Sequence, residues 1–117
     1  MSAKSAEHYK EAALAFTKAL AARDYDAAHA LTSKDYRGTT TVKALQAAFE
    51  EIVPTDWGTV GPIELGLTME DWPGRESSDA GWVYVSVGGD AYSEAVTVVV
   101  TIEEGELRVR TVEFGRP

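Results

Sequence analysis

Two Asp-Tyr pairs stand eleven residues apart in the stretch AARDYDAAHALTSKDYRG, at Asp24-Tyr25 and Asp35-Tyr36, with His29 between them. Carboxylate, phenol and imidazole are the groups from which general acid-base sites are built: the carboxylate takes a proton, and Tyr or His donates to a developing oxyanion. A further carboxylate, Glu113, ends the alternating run LRVRTVEF. Chemistry requires that such groups face one cavity, so the elements that carry them decide.

On helical geometry these residues already diverge. Asp24 suits the N-cap of a helix running through Ser33, with Tyr25, Ala28 and Leu31 inward. His29 then lies about 100° round from Ala28, at the boundary of the buried face. Asp35 and Tyr36 fall where the chain leaves this helix, in a short extended piece or turn closed by Gly38. Unbroken alternation puts Thr111 and Glu113 on the same sheet face as Leu107 and Val109, whereas a bulge would turn them outward.

The chain before and after supplies the frame. Tyr9, Ala13, Phe16 and Leu20 recur at helical spacing behind a cap at Ser5. A threonine run caps a third helix, TTTVKALQAAFEEIVP, whose stripe is Leu45, Ala48, Phe49 and Ile52 and which Pro54 stops. From Gly61 the period becomes two. Ile63 to Met69, Val83 to Val87, Val96 to Ile102 and Leu107 to Phe114 read as four strands, joined by VGGDAY, EEGE and the longer polar PGRESSDAG. Helices first and strands afterwards predict one α+β domain over residues 1–117, with three helices on one face of an antiparallel sheet of four long strands plus a short edge segment.

The face assigned to the helices is aliphatic: Ile63, Leu65, Leu67, Met69, Val83, Val85, Val87, Val96, Val98, Val100, Ile102, Leu107 and Val109. It offers no polar group before Thr111 and no titratable one before Glu113. The opposite face carries Trp82, Tyr84, Ser86, Thr97, Val99, Thr101, Arg108, Arg110, Val112 and Phe114. That mixture of aromatic, β-branched and Arg residues suits a protein interface.

The order of elements, together with AFTKALAARDYDAAHALTSKDY at residues 15–36, resembles the nuclear transport factor 2-like, or cystatin-like, superfamily. That resemblance implies a cone-shaped sheet wrapped against the helices, a pocket at its wide end, and dimerisation through the outer sheet face, here Trp82, Tyr84, Arg108, Arg110 and Phe114. Isomerase-like and dehydratase-like members use Asp, His and Tyr side chains inside the cone, which singles out Tyr25, His29, Asp35 and Tyr36. The fold hosts enzymes, ligand binders and accessory domains alike.

Composition narrows the classes. The formal net charge is -8, with 7 basic and 8 acidic side chains in residues 1–58 and 4 and 11 in residues 59–117. Such a field disfavours nucleic acid and anionic lipid. Without cysteine there is no disulfide, thiolate metal site or cysteine nucleophile. His8 and His29 are isolated, and phosphate loops, GxSxG elbows and dinucleotide fingerprints are absent, so neither a metal nor a cofactor is expected. Glu7, His8, Lys10 and Glu11 interrupt any apolar leader, which leads to the expectation of a cytoplasmic protein.

These observations lead to a small non-enzymatic domain, homodimeric through its outer sheet face, with a modest apolar pocket for a small hydrophobic ligand. The alternatives are an isomerase-like, dehydratase-like or cyclase-like enzyme, with Asp35 or Glu113 as base and Tyr36 or His29 as donor, and a protein-binding accessory or immunity-type module.

Overall fold

Apolar spacing and side-chain caps set the helices seen in the computed structural model, which describes residues 8–57, 60–89 and 93–115. Helix α1 (Tyr9–Ala21) buries Tyr9, Ala13, Phe16 and Leu20, as its spacing predicts. Arg23, in the left-handed region at φ 62°, turns the chain into α2 (Tyr25–Ala30). The Asp24 carboxylate accepts from the Ala27 N–H at 3.2 Å, a side-chain N-cap. The expected cap Ser5 and the tip of VGGDAY lie outside the described residues.

The segment KDYRGT is a helix, α3 (Lys34–Thr39), where a short extended piece or turn was expected. The Ser33 hydroxyl caps it by accepting from the Tyr36 N–H at 3.2 Å, so α2 ends early and Ser33 starts a new helix. The extended piece sits just before it: Thr32 forms a parallel bridge with Val109, through Ser33 N–H to Val109 O (2.7 Å) and Val109 N–H to Leu31 O (2.9 Å). Thr41 then caps α4 (Val42–Ile52), and a 3-10 turn follows at Thr55–Trp57. Four α-helices thus precede the sheet among the described residues, one more than expected.

The sheet is antiparallel in the order β1-β2-β3-β4, with β1 (Ile63–Met69), β2 (Asp79–Gly88), β3 (Ser93–Glu103) and β4 (Glu106–Phe114). Val83, Val85, Val87, Val96, Val98, Val100 and Val109 join Phe16, Leu20, Leu45 and Phe49 in one buried core beneath the helices. Gly81 lies under the Tyr9 ring, in space that a Cβ would occupy.

Register irregularities overturn two stretches of the expected alternation. In β1 the pairing slips between Leu65 and Thr68, so Thr68 faces Val83 and Met69 faces Trp82 on the outer surface. Leu65 and Leu67, both expected inside, are 40% and 62% exposed. In β4 the pairing slips at Arg110: Val99 opposes Thr111 while Val100 opposes Val109. Beyond that bulge Val112 and Phe114 turn inward, opposite buried Val98 and Val96, and Thr111 and Glu113 turn outward.

Candidate functional site

His29 and Tyr36 are brought together by Thr40, the residue after α3. The His29 Nε2–H donates to the Thr40 carbonyl at 2.6 Å, and the Tyr36 carbonyl accepts from the Thr40 N–H at 2.8 Å. Tyr36 is half-buried against the core. Burial pushes its hydroxyl pKa up, and a hydrogen bond with the Thr40 side chain acts the other way without cancelling it. Such a phenol donates hydrogen bonds and does not serve as a base at neutral pH.

The carboxylates lie elsewhere. Asp35, one residue from Tyr36 in sequence, is exposed and lines a separate cleft with Ser33, Lys34, Glu76, Glu103 and Arg110. Glu113, expected on the inner face, is exposed on the outer one opposite Thr97. The β4 bulge is the cause, because one extra residue exchanges the faces beyond it. Tyr25 is spent structurally: its hydroxyl donates to Glu50 Oε2 at 2.8 Å and accepts from Arg23 Nη1 at 3.2 Å. The base and donor candidates of the enzymatic alternative therefore occupy different surfaces.

The most strongly bonded charges form a site that sequence reasoning missed. The Asp79 side chain is fully buried; Arg110 Nε donates to its Oδ1 at 2.7 Å and Nη2 to its Oδ2 at 2.6 Å, a bidentate pair. The Glu76 N–H adds a bond to Oδ2 at 2.8 Å, and Arg110 Nη1 reaches Glu76 Oε2 at 3.2 Å. Burial alone would raise the Asp79 pKa, but the bonds from Arg110 and the Glu76 N–H outweigh it and hold the carboxyl below its usual value. The same pair raises Arg110. This cluster ties the loop before β2 to the outer face of β4. Its one sequence signal is an Asp entering β2 in a fold with two Arg on β4, a strand that β3 separates from it, which specifies no pairing.

The expected dimer face changes accordingly. Trp82 and Tyr84 remain partly exposed on it, alternating with buried Val83 and Val85. Gly66 permits close packing of the Tyr84 ring on β1, since a Cβ there would approach Tyr84 Cδ1 to 2.8 Å. Phe114 leaves this face and packs edge-on against Phe49, with ring centroids 6.3 Å apart. Arg108 Nη1 donates to the Ala30 carbonyl at 2.7 Å, satisfying an acceptor at the end of α2. Arg110 is committed to Asp79.

A second cleft, about 370 Å³, opens between α1 and the start of β4, where Ala12, Ala15, Leu31 and Leu107 meet Glu11 and Arg108. Among the described residues no group of three or more His, Asp or Glu is placed to hold a metal ion, and no helix is long and apolar enough to cross a membrane. No protein-family model matches the chain, and no curated protein matches it in sequence.

Proposed function

We propose that this chain is a non-enzymatic binding domain of nuclear transport factor 2-like form, dimeric through the outer sheet face around Trp82 and Tyr84. The carrying observation is the dispersal of its candidate groups: His29 and Tyr36 at Thr40, Asp35 in another cleft, Glu113 on the outer sheet face. General acid-base catalysis needs those groups within reach of one reacting atom. The order of four helices and four antiparallel strands, with the parallel bridge at Thr32, supports the family reading. The cleft between α1 and β4 has the size of a small-molecule site and a partly apolar lining, which suits a small hydrophobic ligand.

Light scattering at micromolar concentration tests the assembly. The expected mass is twice that of the chain, and Tyr84→Glu, which places a charge in the middle of the outer face, is expected to halve it without loss of the helical circular-dichroism signal. A monomer at all concentrations would remove the dimer from this reading.

A further inference from the structure

Strand β1 lies at one edge of the sheet. Among the described residues, sheet order leaves one side of β1 without a neighbour, whereas the other edge strand, β4, is bridged by Thr32. Gly88 N–H donates to the Pro62 carbonyl at 2.9 Å, so Pro62 belongs to a hydrogen-bonded pair across β1 and β2. In an antiparallel ladder such pairs alternate with pairs that face away. Ile63 and Leu65, in register with Val87 and Val85, therefore direct their N–H and C=O groups to the open edge.

Side chains along that edge carry a matching signal. Leu65 and Leu67 are the large hydrophobics left exposed among the described residues, and both are on β1. The residues from 60 to 74 contain no Lys or Arg, and their three acids, Glu64, Glu70 and Asp71, are all exposed. Edge strands are normally protected by lysine, inward charge or cover. This one offers apolar side chains between carboxylates.

We infer that β1 is a docking edge for an extended, cationic segment of a partner protein, which adds as a fifth strand. Backbone bonds to Ile63 and Leu65 hold it, apolar side chains meet Leu65 and Leu67, and Lys or Arg near its ends meet Glu64, Glu70 and Asp71. Charge selects this occupant over a second copy, because each copy carries a net charge of -8 and brings the same carboxylates.

The probe is a fluorescein-labelled peptide of alternating valine and threonine with two lysines at each end. Its anisotropy is expected to rise saturably with protein, with about tenfold weaker binding when glutamates replace the lysines and about tenfold weaker binding to Leu67→Lys, which installs an edge-protecting charge. Glu113→Gln, on the outer face of β4 with two strands between it and β1, is expected to leave the affinity unchanged. Hydrogen exchange provides a readout without mutation: Ile63 and Leu65 amides exchange fast in the free protein and slow at saturating peptide. Absent binding, equal binding of the glutamate peptide, or unchanged exchange at Ile63 and Leu65 would overturn the assignment. Slowing that depends on protein concentration alone would assign the edge to a second copy instead.

Discussion

Replacing Arg110 by Met tests whether the outer-face ion pair holds the sheet together. The substitution keeps an apolar stem and removes three donor contacts, at 2.6 and 2.7 Å to Asp79 and 3.2 Å to Glu76. It leaves behind a fully buried carboxylate that still accepts from the Glu76 N–H. Breaking a buried pair from one side costs about 3–5 kcal/mol. At about 4 °C per kcal/mol for a domain of this size, Tm should fall by roughly 12–20 °C. The pH dependence has a definite sign. Asp79 has a depressed pKa in the folded protein, so its contribution is present above the unfolded value, about 3.9, and is lost as pH falls through the folded value. Without Arg110, burial pushes the carboxyl up instead, and protonation relieves the variant first. The gap between wild type and Arg110→Met is therefore expected to be largest at pH 7 and to narrow below about pH 4. Urea unfolding followed by tryptophan fluorescence at both pH values measures it. A difference under about 1 kcal/mol at pH 7, the range of an exposed pair, would refute the reasoning, as would a gap independent of pH.

Other substitutions probe the packing that positions these surfaces. Gly81→Ala places a methyl where the Tyr9 ring lies; an overpacking loss of about 1–3 kcal/mol is expected, partly recovered by adding Tyr9→Leu, as thermal melts would show. Arg23→Ala removes donors to the Val53 carbonyl at 2.9 Å and the Pro54 carbonyl at 3.1 Å, with an expected loss of about 1–3 kcal/mol in urea unfolding. Phe114→Ala, which removes the ring beside Phe49, should cost about 2–4 kcal/mol and leave the oligomeric mass from light scattering unchanged. Glu113→Gln, on the exposed outer face, should change stability by less than about 0.5 kcal/mol.

Local signals carried most of the fold into the sequence. The stripe Tyr9, Ala13, Phe16, Leu20 and the caps Asp24 and Thr41 lie where spacing and hydrogen-bonding chemistry put them. What was illegible at α3 was a competition: Gly38 reads as a turn residue, yet Ser33 caps a six-residue helix that includes it. Helix propensity penalises one internal glycine by only about 1 kcal/mol, which a cap bond and packing of Tyr36 can offset. The Asp79 site was hidden for a different reason. Its bond joins residues 31 apart in sequence, and no local pattern encodes which of two arginines turns toward it.

The two bulges show why the candidate site was harder to read than the fold. A strand with one extra residue remains a strand, so the number and order of β1 to β4 survive the error, but every side chain beyond the bulge changes face. In β4 that exchange moves Glu113 away from the helices and seats Phe114 beneath them. In β1 it sets Met69 opposite Trp82, and Leu65 and Leu67 stand exposed on the unpaired edge. The β4 bulge thus takes a carboxylate out of the interior, and β1 separately leaves two leucines exposed at the edge of the sheet. A function read from alternation alone inherits the opposite bias, since an unbroken period places the titratable end of β4 inside and the leucines of β1 out of reach.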